Sequence, residues 1–251
     1  MNDDKKAMKA YLGDPKLKDR FIKEIAKHEK ADEIAQGAYE TMDGEKTVFC
    51  AVGCSLKSMN RILGKDGSVS LHARYEPELG IPQVLARLED RIFEGLPEAE
   101  MKTWPRRFAE AIDVGANLSK VWPKFAIWLL VDPEDGVIRF AGGWKDVAEA
   151  VRKAASIYQA MEGGNPMGRD HILAIRSECR TAAAAAADSA VSAAYAAAYA
   201  ADAADSAAYA AAYAADSAVS AAYAAAAVAY ARKAFYVRMS EKLVELLKEA
   251  E

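Results

Sequence analysis

The spacing of apolar residues predicts that most of the first 168 residues are helical. Asp14 and Pro15 open a pattern of apolar residues at helical intervals that continues toward Gly37. An N-cap residue, a proline at the first helical position and a glycine stop are together typical of one helix. The same periodicity covers residues 82–96, 99–112, 118–130 and 144–161.

Three other segments lack this periodicity. The sequence AYETMDGEKTVFCAVGCSL has Asp43-Gly44 at its centre and β-branched or aromatic residues after it, which predicts a β-hairpin. Residues 58–82 are rich in glycine and turn-forming residues and are predicted to be a loop with short ordered pieces. Residues 132–143 are predicted to be a turn, a short strand and a stop. We therefore expect residues 1–168 to be a mostly helical globular domain with a small β-hairpin.

Residues 169–251 contain no glycine and no proline, and alanine, the strongest helix former, dominates them. They predict one long alanine-rich helix, on the order of 120 Å long at ~1.5 Å per residue. A 14-residue repeat, DSAVSAAYAAAYAA, recurs in near-copies from residue 188 to residue 229. Two heptads per repeat average 3.5 residues per turn, the period of a left-handed coiled coil.

One stripe of this helix alternates tyrosines with aspartate–serine pairs. Its members occupy two neighbouring heptad positions: Asp188, Tyr195, Asp202, Tyr209, Asp216, Tyr223 and Tyr230 on one, and Ser192, Tyr199, Ser206, Tyr213 and Ser220 on the other. Staggered by half a period, tyrosines of one helix face acceptors on another. The stripe therefore predicts a homodimer or a bundle of dimers, with the long helix as the oligomerisation element. Two alternatives stay open: low-complexity drift without a role, and an ice-binding helix, although the stretch carries a single threonine, Thr181.

Charge and cysteine content narrow the functional classes. The 251-residue chain has a formal net charge of -4 and a pI near 5.6, which argues against a general binder of nucleic acid or membrane surfaces. The N-terminus has no apolar signal-peptide core, and the aspartates of the alanine tract argue against a membrane span. Three cysteines, an odd number, suit a reducing compartment. We expect a cytoplasmic protein.

The cysteines and histidines suggest a metal or thiol site. Cys50 and Cys54 form a C-x3-C pair whose sulfurs would share one face if Cys50 began a strand. His72 could supply a third ligand to Zn²⁺, with His28 or Asp32 as the fourth. The same residues could support a thiol nucleophile, with His28 or His72 as its base. The alternative is structural: two small buried thiols, and a solvated helix face on which Glu24, His28 and Asp32 lie four residues apart.

Two Trp-Pro sequences suggest an anion pocket. Trp104 is followed by Arg106 and Arg107, and Trp122 by Lys124. Aromatic rings stack on bases and basic side chains hold phosphates, so these residues could bind a nucleotide-like ligand. Alternatively, each tryptophan packs into the core at a helix start. Glycine-rich phosphate loops and the HExxH and GxSxG motifs are absent from the sequence.

The blocks CAVGC, HARYEPELGIPQVLARLEDRIFEGLP and VWPKFAIWLLVDPEDGVIRF, followed by the alanine tract, resemble a family found in phage and metagenomic sequences. Members of that family end in alanine runs interrupted by aromatic or arginine residues. The resemblance covers most of the chain and implies a phage or mobile-element setting, in which binding proteins that counter host defence are common. It carries over no catalytic residue.

These observations favour a non-enzymatic oligomeric binding protein that sequesters a small ligand or blocks a host protein. One alternative is a metal- or thiol-dependent enzyme that uses Cys50, Cys54, His72 and His28. The other is a structural rod that acts as a spacer or scaffold.

Overall fold

The computed structural model describes residues 8–141, 143–185, 197 and 229–251. Within these ranges the chain forms ten α-helices, four short 3₁₀ helices and one two-stranded antiparallel sheet. The predicted fold class, mainly α with a small β-hairpin, is confirmed.

The chain divides into two compact units. Unit 1 comprises Met1–Ser119 together with Val244–Glu251, and unit 2 comprises Lys120–Leu243. The domain boundary predicted at residue 168 concerns the alanine tract, most of which lies outside the described residues, and it stays a prediction.

Unit 1 contains most of the helices. They are α1 (Pro15–Lys30), α2 (Ala51–Leu63), α3 (Tyr75–Leu79), α4 (Gln83–Gly95), α5 (Glu98–Met101) and α6 (Trp104–Ala111), with β1 (Thr41–Asp43), β2 (Lys46–Val48) and 3₁₀ turns at Ala10–Gly13 and His72–Arg74. Helix α1 packs on α2 and α6, and α2 also packs on α4. The core between these helices is mainly apolar.

Helix α1 begins where the sequence predicts. The Asp14 carboxylate accepts a hydrogen bond from the Lys16 N–H at 2.8 Å, and Pro15 follows the cap. The helix ends at Lys30, earlier than the predicted stop at Gly37. Asp32 has φ +54°, and the chain then runs beside the residues that precede α2, where Ile34 pairs with Phe49 in a parallel bridge.

The hairpin is confirmed, but the residues after it do not form a strand. Thr41 lies opposite Val48, and β2 ends there. Cys50 is the N-cap of α2, so the strand expected to carry the CAVGC motif does not exist. The loop predicted for residues 58–82 is also wrong in part, because α2 continues to Leu63 and α3 comes after it. Gly64 closes α2 in the left-handed conformation that a C-terminal cap requires.

Gly80 closes α3 in the same left-handed conformation, with φ +64°. A Cβ at this position would stand 2.0 Å from the Lys9 carbonyl oxygen, so the close approach of the two segments depends on glycine. The predicted helix over residues 82–96 is α4. The one over 99–112 is divided into α5 and α6, because Pro105 lies in the first turn of α6, where its missing N–H is tolerated.

One carboxyl group is fully buried in unit 1. Glu89 of α4 accepts a hydrogen bond from the Tyr75 hydroxyl at 2.8 Å through Oε2, and its other oxygen, Oε1, has no partner. The indole N–H of Trp104 donates to the Glu89 backbone carbonyl at 2.9 Å. Burial raises the pKa of Glu89 well above its ordinary value.

The ends of unit 1 meet at one loop. Gly115 donates its N–H to the Ala10 carbonyl at 2.8 Å, and Ala10 donates to the Ala116 carbonyl at 3.0 Å. The next residue, Asn117, donates its N–H to the Glu251 carbonyl at 2.8 Å. Residues 115–117 therefore bind both the 3₁₀ turn at Ala10–Gly13 and Glu251.

Unit 2 is helical in its described part. Helix α7 (Val121–Val131) follows a 3₁₀ turn at Leu118–Lys120 and confirms the prediction for residues 118–130, and α8 (Lys145–Glu162) confirms the one for 144–161. The strand predicted within 132–143 is wrong: Val137–Ala141 is a 3₁₀ helix. The Asp132 carboxylate accepts the N–H groups of Glu134 and Asp135 at 2.9 and 2.8 Å, which winds the chain into a turn.

Both described ends of the alanine-rich region are helical, namely α9 (Arg169–Ala185) and α10 (Ala229–Lys248). The repeat between them lies outside the described residues, so the continuous helix and eleven residues of the predicted stripe remain untested. The remaining stripe residue, Tyr230, lies in the first turn of α10. Five large apolar residues of α10 are buried: Phe235, Met239, Leu243, Leu246 and Leu247. No helix in the described part of the chain is long and apolar enough to cross a membrane.

Candidate metal centre

Cys50 owes its position to the start of α2. Its sulfur accepts a hydrogen bond from the Gly53 N–H at 3.4 Å, as an N-cap side chain does, and the residue is 2% exposed. Its own N–H donates to the Ala38 carbonyl at 3.0 Å. The Gly53 N–H therefore holds the sulfur, and the Ala38 carbonyl holds the backbone that carries it.

The Asp90 carboxylate joins Cys50 to His72. The Cys50 thiol donates to Asp90 Oδ1 at 3.3 Å, and His72 Nε2 lies 3.1 Å from Asp90 Oδ2. Cys50 caps α2, His72 begins the turn before α3, and Asp90 lies on α4. The structure thus brings together two of the predicted site residues through a third that the sequence analysis did not name.

Glu94 completes the cluster from the next turn of α4. One ligand atom each from Cys50, Asp90 and Glu94 lie within 4.8 Å of one another. The thiol is buried, Asp90 is half-buried and Glu94 is exposed, so the cluster reaches the surface on one side. Glu94 is nevertheless held, because the Gly37 N–H donates to both of its carboxylate oxygens, at 3.0 and 3.3 Å.

The electrostatics favour a cation between these groups. Burial raises the pKa of the Cys50 thiol, and the Asp90 charge raises it further, so the thiol keeps its proton and donates a hydrogen bond to Asp90. Partial burial of the carboxylate, with a contribution from Asp90, also raises the pKa of Glu94. A divalent cation bound between these groups would stabilise their deprotonated, negatively charged forms.

The other predicted metal ligands lie elsewhere. Cys54 is completely buried, and burial raises the pKa of its thiol. His28 is buried against the Phe49 ring and pairs with Glu33 at 2.6 Å. Asp32 is exposed and bonded to Lys102 at 2.7 Å. Of the predicted ligands, Cys50 belongs to the cluster and His72 contacts its Asp90 carboxylate. Cys54, His28 and Asp32 lie outside the cluster.

A thiol nucleophile finds no support in this geometry. The partner of the Cys50 thiol is the Asp90 carboxylate, and a carboxylate raises the thiol pKa, whereas an imidazolium would lower it. Without a bound cation to displace the thiol proton, the thiolate that nucleophilic chemistry needs is therefore disfavoured at Cys50.

The residues of the predicted anion pocket have other partners. Trp104 is fully buried, so its faces cannot stack on a ligand. Arg106 pairs with Glu29 at 2.6 Å and with Glu110 at 3.2 Å, and Arg107 pairs with Glu100 at 2.8 Å. These contacts match the alternative in which the tryptophan anchors a helix start.

The second half of that pocket lies in unit 2. Trp122 is 8% exposed and packs edge-on against Tyr158, with ring centroids 5.8 Å apart, and Lys124 lies in the same helix. Trp122 is thus a core residue of unit 2. A separate groove of about 350 Å³ lies between α8 and α9, where Lys153 bridges Glu149 and Glu178 at 3.2 and 2.6 Å.

Sequence reasoning missed Asp90 and Glu94. Their signal was present, since LEDRIFE places two carboxylates four residues apart on one helix face. The pattern is common on solvated helices, and only the packing of α2 against α4 shows that a thiol faces it.

No family model matches the chain, and neither curated proteins nor solved structures give a significant match. The phage-associated family that the sequence resembles stays a hypothesis.

Proposed function

We propose that this protein is a non-enzymatic binding protein whose ligand is a thiophilic divalent cation of the Zn²⁺ class. The observation that carries the proposal is the convergence of the Cys50 thiol with the Asp90 and Glu94 carboxylates within 4.8 Å. Metal–ligand bonds of ~2.3 Å to sulfur and ~2.0–2.2 Å to oxygen place ligand atoms a few ångströms apart around one ion. Small side-chain adjustments are enough to reach that geometry.

The donor types select the class of cation. A thiolate favours Zn²⁺, Co²⁺ and related ions, whereas Mg²⁺ and Ca²⁺ prefer sites made entirely of oxygen. His72 supports Asp90 from the side opposite Cys50. A histidine–carboxylate contact behind the ligand atom fixes the orientation of a metal ligand.

The charge of the site favours binding over catalysis. A divalent cation that binds here displaces the Cys50 thiol proton. The resulting thiolate and the two carboxylates carry three negative charges, of which the cation neutralises two. A metal ion in a net negative site is a weaker Lewis acid and lowers the pKa of a bound water less. This argument supports the binding protein over the metal-dependent enzyme.

We propose in addition that the protein assembles into a homo-oligomer through the alanine repeat. This part of the proposal rests on the 14-residue period and the alternation of tyrosines with aspartates in the sequence. A nucleotide-like ligand or a host protein as partner is a weaker proposal, because the paired arginines near Trp104 offer it no support.

Metal titration of the full-length chain tests the site. After treatment with a chelator, Co²⁺ is added and its sulfur-to-metal charge-transfer absorption is followed, and Zn²⁺ is then added in competition. We expect one ion per chain, displaced by Zn²⁺ and not by Mg²⁺. Cys50→Ser should abolish the charge-transfer band, and Asp90→Asn and Glu94→Gln should weaken binding by at least about tenfold.

Cys179→Ser is the matched control, because Cys179 is also a buried thiol but lies on α9 in unit 2. It should bind Co²⁺ like the unmodified chain. Absence of a charge-transfer band in the unmodified chain, or its persistence in the Cys50→Ser variant, would overturn the proposal.

A further inference from the structure

The segment of residues 36–39, which lies between α1 and the hairpin, contacts Glu94, Cys50 and His72 at the candidate metal centre. Gly37 donates its N–H to Glu94, the Ala38 carbonyl accepts the N–H of Cys50, and the Tyr39 ring packs edge-on against His72 with centroids 5.7 Å apart. Three consecutive residues therefore hold one group each.

The same segment also grips the end of α4. The Gln36 side chain donates through Nε2 to the carbonyls of Phe93 and Leu96, at 2.6 and 3.0 Å. Phe93 precedes Glu94 in the last turn of α4, and Leu96 is the C-cap residue that follows the helix. Gln36 thus fixes the backbone that carries Glu94, and Gly37 fixes its side chain.

Gly37 is suited to this contact by its backbone. Its φ of +106° lies in a region that residues with a side chain rarely adopt. No atom lies within 4 Å of the position that a Cβ would take, so a substitution there acts through the backbone and not through a clash. A residue with a side chain would be strained at this φ, and relaxation of that strain would shift the backbone that presents the N–H to Glu94.

A second glycine holds the segment from the other side. The Tyr39 carbonyl oxygen lies so close to Gly53 of α2 that a Cβ there would stand 1.8 Å from it. Because Gly53 is helical, alanine would suit the helix itself. The missing side chain at residue 53 therefore serves the approach of the 36–39 segment.

We infer that Gly37 is a positioning residue of the metal centre, whose N–H presents the exposed Glu94 carboxylate as a ligand, and that the 36–39 segment sets the affinity of the site. This inference rests on the proposed metal-binding function. Outer-shell contacts of this type change metal affinity by about tenfold to a hundredfold.

The test compares two alanine substitutions at glycines of positive φ. Gly37→Ala should weaken Co²⁺ binding by about tenfold or more and change the ligand-field absorption, because Glu94 is no longer held. Gly44→Ala is the matched control: Gly44 has φ +63°, nothing lies within 4 Å of its would-be Cβ, and it lies in the hairpin turn. That variant should bind Co²⁺ within about twofold of the unmodified chain.

Two further variants separate positioning from folding. Gly53→Ala displaces the segment through Tyr39 and should weaken binding as Gly37→Ala does. Gln36→Ala changes an exposed side chain, keeps the fold, and should weaken binding severalfold by freeing the end of α4. Circular dichroism reports folding in each case.

The experiment distinguishes failure of the proposed metal binding from failure of the positioning role of Gly37. If the unmodified chain binds no Co²⁺, the proposed function fails. If it binds Co²⁺ through Cys50 but the folded Gly37→Ala and Gln36→Ala variants show unmodified affinity and absorption, the positioning role is wrong while the site stands.

Discussion

His72 contacts Asp90 on the carboxylate oxygen that the Cys50 thiol does not use, with Nε2 3.1 Å from Oδ2. The imidazole is 3% exposed and lies against the Tyr39 ring, so its orientation is fixed before any ion binds. Such a contact leaves Oδ1 as the oxygen free to ligate once the thiol has lost its proton.

Replacing His72 should therefore weaken the metal site without removing a ligand. We expect His72→Ala to raise the dissociation constant for Zn²⁺ by about tenfold to a hundredfold. His72→Gln can still donate a hydrogen bond to Asp90 and should recover part of the loss. Competition with a Zn²⁺ indicator measures both, and equal affinities of all three proteins would contradict the outer-shell role of His72.

Glu89 should make the fold less stable at alkaline pH. The pKa of this buried carboxyl is raised in the folded chain, so the folded state favours the neutral form. Its contribution to the free energy of unfolding is complete below the ordinary pKa of a glutamate, and it is lost as the pH rises toward the raised folded-state pKa. Glu89→Gln keeps an acceptor for Tyr75 and avoids the buried charge.

We expect Glu89→Gln to be more stable than the unmodified chain at pH 8 by at least about 1 kcal/mol, and the gain to shrink at pH 5. Urea unfolding in the presence of a chelator measures both. Glu98→Gln on α5 is the control, and a loss of stability at pH 8 in the Glu89 variant would show that its carboxylate is needed.

His28 should act in the opposite pH range. Burial lowers the pKa of this histidine despite its bond to Glu33, so the folded chain holds the imidazole neutral. The unfolded chain takes up a proton below about pH 6.5, and stability is therefore lost as the pH falls from there toward the lowered folded-state pKa.

His28→Gln should accordingly lose less stability than the unmodified chain between pH 7 and pH 5. His171→Gln, an exposed position at the start of α9, should retain the full loss. Thermal unfolding of the three proteins at pH 7 and pH 5 measures this loss. Equal losses in all three would exclude His28 as the cause of the pH dependence.

Alanine substitutions at Gly80 and Gly64 separate the cost of backbone strain from the cost of a steric clash. Their φ values are +64° and +61°, but a Cβ at Gly80 would stand 2.0 Å from the Lys9 carbonyl oxygen, whereas nothing lies within 4 Å at Gly64. We expect Gly64→Ala to cost about 1 kcal/mol and Gly80→Ala at least about 3 kcal/mol, because the second adds a clash to the strain. Denaturant melts compare them, and equal costs would show that the Lys9 segment yields.

The alanine repeat yields a prediction about assembly. If the proposed oligomer forms through the repeat, replacing Tyr195, Tyr209 and Tyr223 by lysine should dissociate it, because the predicted interface would then contain like charges. Native mass spectrometry measures the number of chains. If the variant keeps the oligomeric state of the unmodified protein, or if the unmodified protein is itself a monomer, the stripe is not an interface.

Local signals in the sequence predict local structure well. Asp14 and Pro15 start α1, and Asp43-Gly44 turns the hairpin, because capping and turn chemistry act over a few residues. The strand predicted within residues 132–143 fails because the side chain of Asp132 winds the backbone into a turn there.

The candidate site is only half visible in the sequence for a different reason. Cys50 and His72 are rare residue types and attract attention by themselves, whereas Asp90 and Glu94 look like any charged helix face. Their role depends on helix packing between segments forty residues apart, and on a backbone N–H from Gly37, which no side-chain pattern can reveal.

The bond between Asn117 and Glu251 has a consequence for biosynthesis. Unit 1 includes the last eight residues, Val244–Glu251, and all of Lys120–Leu243 is translated before them. At about 5–20 residues per second, the ribosome needs on the order of 6–25 s to cross that interval. During this time the first helices are present without the segment that completes their unit. A nascent chain released early would carry the thiol and carboxylates of the candidate metal centre without residues 244–251 of unit 1.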